Sequence, residues 1–429
     1  MARNFSAQLE SGTYSLRNIR LASTEGLRAI DMLVSNGKVD WLGPQGARAD
    51  LPRGPDLAQA IVWPLTVDCH THLDKGLVVH RSPNPDGTFD GASQSASADH
   101  ETYQNAEDVR RRAEFALKSA FAHGTAAVRS HVDVGADTFD RNFGVLCELA
   151  GDWRGRIELQ LCPFTGIYSE VDWFDKLAAS AAAQPASGVL SIFIPPSGEF
   201  DAALDDVFTV AARHGVELDF HVDENLDPAS RGLDAVARAA LRHGFERPVL
   251  AGHCCALSVQ PDDVVDATLD RVVEAGIGVV SLPLCNGYLM DRHAGRTPRQ
   301  RGIAPVHEMR KRGIPVALAS DNVRDGYHAY GDLDLPQLFR EAVRMMHLDH
   351  PFEGWAAAVT ATPAALMGLD HQGRLAVGQP ADFMIFEART WPEFVSRSAP
   401  PYVIVRGGKP VSAALPDFAE LDDLEGMKL

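Results

Sequence analysis

The apolar residues of the chain follow two patterns. Near both ends, "YSLRNIRLAS", "DMLVSNGKVDWLG", "GRLAVGQPADFMIFEA" and "YVIVRGGKPV" are short alternating segments broken by Asn-Gly and Gly-Gly pairs, which predict β-hairpins. Between them, short continuous apolar runs alternate with Ala-, Leu-, Arg- and Glu-rich stretches of helical period. The runs are "IVWPLTVDC", "AAVRSHVDV", "IELQLCPF", "GVLSIFIPP", "VELDFHVDE", "VLAGHCC", "GIGVVSLP" and "IPVALASDN". Continuous apolar character is what strands buried on both faces of a parallel sheet require. In "AEDVRRRAEFALKSAFAHG", Val109, Ala113, Ala116, Leu117 and Ala120 recur at helical spacing before Gly124 ends the helix.

Repeated strand-helix units predict an α/β fold, a (β/α)8 TIM-type barrel, with a doubly wound sheet as the structural alternative. The expected barrel covers residues 65–369. Residues 1–64 and 370–429 are expected to meet in one small composite β-sandwich formed by both chain ends. The Ala-rich "LAASAAAQPAS" reads as a linker or a helix.

With 429 residues, 45% of them hydrophobic and 23% charged, the chain has the composition of a compact soluble protein with a sizeable core. A formal charge of −18 opposes nucleic acid and anionic membranes as general partners, leaving small neutral or cationic ligands. The start, "MARNFSAQLESGTYSLRNIR", has no apolar stretch of signal-peptide length, and nowhere do about 18 apolar residues run together. A cytoplasmic location is the resulting expectation. Cys69, Cys147, Cys162, Cys254, Cys255 and Cys285 lack disulfide or zinc-finger spacing and read as reduced, mostly buried thiols.

Barrel enzymes gather their chemistry at the C-terminal ends of the strands. Here strand one ends in His70-Thr-His72, strand two in His131-Val-Asp133, strand five in His221-Val-Asp223-Glu224, strand six in Gly252-His253 and strand eight in Ser320-Asp321-Asn322. A lone histidine on a strand reads as a core residue; five such strand ends predict a site. His70 and His72, two apart, point to the same side of a strand. His221 approaches from across the barrel and Asp321 adds a carboxylate. Together they suit one divalent metal ion, Zn²⁺ or Fe²⁺, with Mn²⁺ also compatible. Glu224 is placed as a proton shuttle, and His253 with Asp321 orients or deprotonates the metal-activated water. His131 and Asp133 either line the pocket or tie strand two to its neighbours, and Asp74 and Lys75 shape the loop or the pocket rim. "GVLSIFIPP" holds no lysine to bridge a second metal, so one ion is expected.

The pieces "HTHLDKG", "SHVDVG", "FHVDE", "GHCCALS", "NGYLMDR", "RQRGIAPVHEM" and "ASDNVRDGY", followed by "GRLAVGQPADFMIF", resemble the amidohydrolase superfamily and its cytosine deaminase-like branch. The resemblance implies a mononuclear site held by His70, His72, His221 and Asp321, with Glu224 passing protons between water and a heterocyclic ring. His253 and Asp321 would handle the water, and ammonia would leave an amine-bearing ring carbon. Homo-oligomers are common in that family. Members that act on cytosine carry glutamine where "CPFTG" has Phe164, and a second aspartate where this chain has Asn322. "HTHLDK" and "SDNVRD" also resemble the N-isopropylammelide amidohydrolases. The expected function is hydrolytic deamination of an amino-substituted nitrogen heterocycle: a cytosine-like pyrimidine, a triazine or a cyclic amidine. Phe164, Asn322 and Tyr327 are the substrate-binding candidates. Removal of an alkylamine from a triazine-type ring, ring opening of a cyclic amide and a non-catalytic barrel are the alternatives.

Overall fold

In the computed structural model, which describes residues 6–10, 12–52, 54–185, 188–352, 354–401 and 403–427, the two hydrophobic patterns become two sheets. In chain order the strands are β1 (Thr13–Ser23), β2 (Gly26–Ser35), β3 (Lys38–Pro44), β4 (Ile61–Pro64), β5 (Thr66–Thr71), β6 (Thr125–Asp133), β7 (Glu158–Gly166) and β8 (Val189–Phe193). They continue as β9 (Glu217–Val222), β10 (Val249–His253), β11 (Gly278–Ser281), β12 (Val316–Leu318), β13 (Phe383–Phe386), β14 (Val403–Arg406) and β15 (Lys409–Val411).

Strands β5 to β12 lie side by side in sequence order, every neighbouring pair parallel. The ring closes just past β12, where Thr71 and Asp321 form a parallel bridge and Asp68 accepts from the backbone and hydroxyl of Ser320. Unbroken strand order with closure is the barrel and not the doubly wound alternative. Its lower end is filled by Val67, Cys69, Ala127, Leu250, Val280, Ala317 and Ala319, against Ala364, Met367 and Leu369 at and beyond the helix Ala361–Leu366.

The first apolar run is not the single barrel strand its composition predicts. Ile61–Pro64 belongs to the other sheet, parallel to β1 and antiparallel to β13, and only Thr66–Thr71 enters the barrel. The N–H of Leu65 still reaches Asp382 of the end sheet, whereas that of Thr66 reaches Gly124 beside β6. Both halves are fully buried, so no change of hydrophobic period marks the switch.

The end sheet runs β15-β14-β13-β4-β1-β2-β3. Asn36-Gly37 and Gly407-Gly408 are two of its two-residue turns, with φ of 51°, 78°, 53° and 73°, the left-handed pair that lets a hairpin twist match its strands. The two tips touch: a Cβ on Gly37 would stand 2.8 Å from the Gly407 carbonyl oxygen. At this one contact between the chain ends a side chain on Gly37 would not fit. The chain after β15 returns to the barrel, where Leu421, Leu424 and Met427 join the main core and Phe418 stacks on Phe115.

The helix Ala106–Ala122 buries the stripe Val109, Ala113, Ala116, Leu117 and Ala120, is capped by the Asn105 side chain and is followed by left-handed Gly124. Most of the Ala-rich segment is the helix Val171–Ala182, while Ala186 and Ser187 lie outside the described residues. Cys147 is half-buried and the other five thiols are buried, all unpaired. Among the described residues no helix is long and apolar enough to cross a membrane.

Candidate metal centre and substrate pocket

A β-bulge aims the first two histidines. Between Asp68 and Thr71, β5 spends one residue more than β6 does between Val128 and Ser130. The extra residue re-aims the strand at its upper end. Cys69 packs into the barrel floor, while His70 and His72 converge above it. Thr71 between them faces β6, its hydroxyl donating to the Arg129 carbonyl at 2.9 Å.

His70, His72, His221 and Asp321 come together there. The Asp321 Oδ1 lies 3.6 Å from His70 Nε2 and 3.4 Å from His72 Nε2, and His72 Nε2 is 3.2 Å from His221 Nε2. Burial holds all three rings neutral, well below the usual imidazole range. Both nitrogens of His70, Nδ1 of His72 and of His221 and both oxygens of Asp321 are buried without a hydrogen-bond partner among the described residues. Of these, His70 Nε2 and Asp321 Oδ1 converge with the Nε2 atoms of His72 and His221, and since each unmet buried polar group costs about 1–3 kcal/mol, that convergence fits a cation that the four atoms would share. Neutral imidazoles with one carboxylate are a donor set for Zn²⁺, Fe²⁺ or Mn²⁺. Burial also lifts the Asp321 carboxyl to about 7, against the pull of the Cys285 thiol and the Lys75 charge, and a divalent ion would return it to the ionised form.

Glu224 lies two residues past the end of β9. Burial, and then the charge of Asp321, push its carboxyl well above the usual range. Its neighbour Asp223 serves the fold: both carboxylate oxygens accept backbone N–H groups, from Gly232 at 2.8 Å and Leu233 at 3.0 Å, and so hold the start of the helix Gly232–His243. His253 stands 3.4 Å from Glu224, from Nδ1 to Oε1, and burial draws its ring down to about 3. Left-handed φ values at Asp223, His253, Cys254 and Asp321 concentrate backbone strain at these strand ends.

The two alternatives for strand two divide between its residues. His131 is a tie: its Nδ1 lies 2.7 Å from Ser191 Oγ on β8, its Nε2 3.9 Å from Asp219 on β9, and its ring 4.1 Å from that of His70. Below it Arg129, fully buried, pairs with Asp219 at 3.1 Å and Glu217 at 3.4 Å. Asp133 lines the pocket and meets Lys75 Nζ at 3.1 Å. Asp74 shapes the loop, accepting the Asp133 N–H at 3.0 Å, while Lys75 stands in the pocket itself. Its ammonium is 4.9 Å from the Tyr327 ring and 5.7 Å from that of Phe164. Burial works against that charge, but Asp133, Tyr327 and Asp74 outweigh it and raise the pKa.

The cavity above the cluster measures about 490 Å³. Phe164 walls it, ring centroid 4.3 Å from that of His221, with Phe89, Phe193 and Tyr327 completing the aromatic sides. Asn322 also lines it, but its amide nitrogen is already given to Asp325 at 2.7 Å. Phe89, Phe193 and Ser93 join this cavity without any role expected from the sequence. Phe193 ends β8 and could have been found by the strand-end rule; Phe89 and Ser93 sit on the helix Phe89–Thr102, between β5 and β6, where no strand pattern points.

Residues 172–411 match the model of a family described as the Amidohydrolase family. The chain is 44% identical to the pterin deaminase of Rhizobium rhizogenes over 94% of its own length and 92% of that protein's. The 5-methylcytosine deaminase of Klebsiella pneumoniae, solved with 5-fluorocytosine, superposes with a TM-score of 0.81 at 26% identity, covering 94% of this chain and 98% of that one. The N-isopropylammelide isopropylaminohydrolase of Burkholderia multivorans gives a TM-score of 0.75 at 26% identity, over 93% and 98% of the two chains.

Proposed function

The chain belongs to the amidohydrolase family, and on that premise we propose that it hydrolytically deaminates a pterin-like ring, an amino-substituted fused heterocycle. It is a hydrolase of C–N bonds other than peptide bonds. The observation that carries the proposal is the buried convergence of His70, His72, His221 and Asp321 directly beneath an aromatic-walled cavity that also holds Glu224. The 44% identity to a pterin deaminase, and Phe164 where cytosine-specific members carry a hydrogen-bonding side chain, favour a flat bicyclic ring over cytosine.

His70, His72, His221 and Asp321 would hold one divalent ion, Zn²⁺ or Fe²⁺ by their donor set, with Mn²⁺ the third candidate. Such an ion supplies a water whose pKa is brought toward neutrality. Glu224 takes a proton from that water and delivers it to the ring nitrogen next to the amine-bearing carbon, for which its raised carboxyl pKa suits it. Water then adds across the carbon–nitrogen bond: its oxygen stays on the ring carbon, and the amine leaves as ammonia with the second proton. Phe164 and Tyr327 hold the ring by its faces and exclude water. Lys75 faces the same space with a charged donor for a ring carbonyl oxygen, and Asn322 borders it with its amide oxygen.

The test is a panel of pterin, cytosine, an N-alkylaminotriazine and a cyclic amide, assayed with the metal-loaded protein. Pterin is expected to release ammonia with its ring intact. Alkylamine release from the triazine alone, or ring opening of the amide alone, would replace this function with one of the other two.

A further inference from the structure

The aromatic rings around the cavity form two layers. The inner layer is Phe164, whose ring centroid lies 4.3 Å from that of His221, 5.9 Å from His72 and 6.3 Å from His131. The outer layer is Phe89, Phe193 and Tyr327. Phe89 lies 6.2 Å from Phe193 with the two planes 12° apart, and Tyr327 meets Phe89 edge-on at 5.6 Å. The strand pattern sets their order. Ser191 points into the barrel, its Oγ 2.7 Å from His131 Nδ1, and Phe193, two residues on, shares that face about 6–7 Å nearer the mouth. Lys75 spans the layers, its ammonium facing the rings of both Phe164 and Tyr327.

Hydrogen bonds hold the outer layer in place. Phe89 opens the helix Phe89–Thr102, capped by Thr88, whose hydroxyl accepts the N–H of Gly91 at 3.0 Å. The Asn84 amide donates to the carbonyls of Thr88 at 2.9 Å and Gly326 at 2.8 Å, which ties the start of that helix to the loop carrying Tyr327. Phe89 and Phe193 are nevertheless only half-buried, and both line the cavity. Apolar ring surface left open inside a cleft is surface for a ligand to cover. A single ring that reacts beside His221 is served by Phe164 alone, whereas a second ring, fused to it and coplanar with it, extends to the outer layer. We propose that Phe89 and Phe193 form the subsite for the second ring of a fused bicyclic substrate and set the preference for it over a single-ring amine. This rests on the proposed deamination and names the residues that select substrate size within it. Because both partners offer aromatic faces and edges, the ring they favour is flat and aromatic.

The experiment compares pterin with its single-ring half, 2-amino-4-pyrimidinone, which keeps the amine-bearing carbon and the carbonyl and lacks only the second ring. Ammonia release is measured with the metal-loaded enzyme and with its Phe193→Ala and Phe89→Ala variants. Where the single ring turns over too slowly, its inhibition constant against pterin takes the place of kcat/KM. Alanine in place of a stacked aromatic side chain weakens binding of a flat heterocycle by about 5- to 150-fold. Each variant should therefore lose at least about fivefold in kcat/KM on pterin and stay within about threefold on the single ring. The single ring also serves as the control that the variant is folded and holds its metal. Equal losses on both substrates, or a loss on neither, would overturn the subsite. Pterin left intact by the unsubstituted enzyme would instead overturn the proposed function, and the dissociation constants of the two compounds, compared across the same variants, would still decide the subsite.

Discussion

The backbone N–H of Asp321 donates to the carbonyl oxygen of His70 at 2.9 Å. With the two bonds from Ser320 to Asp68 it joins the last barrel strand to the first, and it sets two proposed metal-binding side chains side by side. Barrel closure and the spacing of these side chains are therefore one constraint, and the proposed cation would satisfy the buried polar atoms beneath it.

Metal removal should accordingly loosen the fold as well as stop the reaction. Ligand binding to the folded state stabilises it by about 4 kcal/mol at a thousandfold excess over Kd. Chelated protein should melt at a lower temperature than protein reloaded with Zn²⁺, and His72→Ala should lose both the bound metal and the response to added metal. Calorimetry with elemental analysis makes the check; identical melting of the chelated and reloaded forms would remove the metal site.

Glu224→Gln keeps the shape of the side chain and removes its ability to exchange a proton. A decrease in kcat of at least about 10²-fold is expected, with metal content unaltered, because general acid-base groups contribute on that order. Steady-state kinetics on the substrate found in the panel decides it, and turnover within about threefold of the original would take the shuttle role from this residue.

Lys75 is the cation that faces the aromatic pocket, between Asp133 and the rings of Phe164 and Tyr327. Lys75→Met keeps the length of the stem and removes the charge. A hydrogen bond to a charged group contributes about 1.5–3 kcal/mol, so kcat/KM should fall about 10- to 100-fold, mostly through KM. An unchanged KM would mean that the ammonium serves only to hold Asp133.

The strand ends were legible because polar residues stranded at the ends of apolar runs stand out, and the fold brings His70, His72, His221 and Asp321 together. The hairpin turns at Asn36-Gly37 and Gly407-Gly408 were equally plain, since left-handed backbone selects those residues. Three features were not. The division of "IVWPLTVDC" into two strands leaves no mark in a segment buried on both faces, and the bulge at Cys69 is a matter of pairing, which composition does not encode. Phe89 and Ser93 enter the pocket from a connecting helix, where periodicity reports packing and not chemistry.

His123 gives a pH-dependent stability away from the metal cluster. It follows the helix Ala106–Ala122, its Nε2 2.8 Å from Asp332 and its Nδ1 3.5 Å from Asp334, the residue that caps the helix Leu335–Met346. Burial alone would lower the pKa of this ring, but the hydrogen bond to Asp332 and the charges of Asp334 and Asp332 outweigh it, and the pKa is raised above 6.5. A raised histidine stabilises the fold fully below its unfolded pKa, and this contribution is lost as pH rises through the folded value. His123→Gln should therefore be less stable than the original protein at pH 6, and the gap should shrink as the pH rises above 6.5. Taking the difference between the two proteins at each pH cancels titration elsewhere, the metal site included. Denaturant unfolding of the metal-loaded pair provides the measurement, and a gap of constant size from pH 6 to pH 9 would show that the ring contributes by packing and not by its charge.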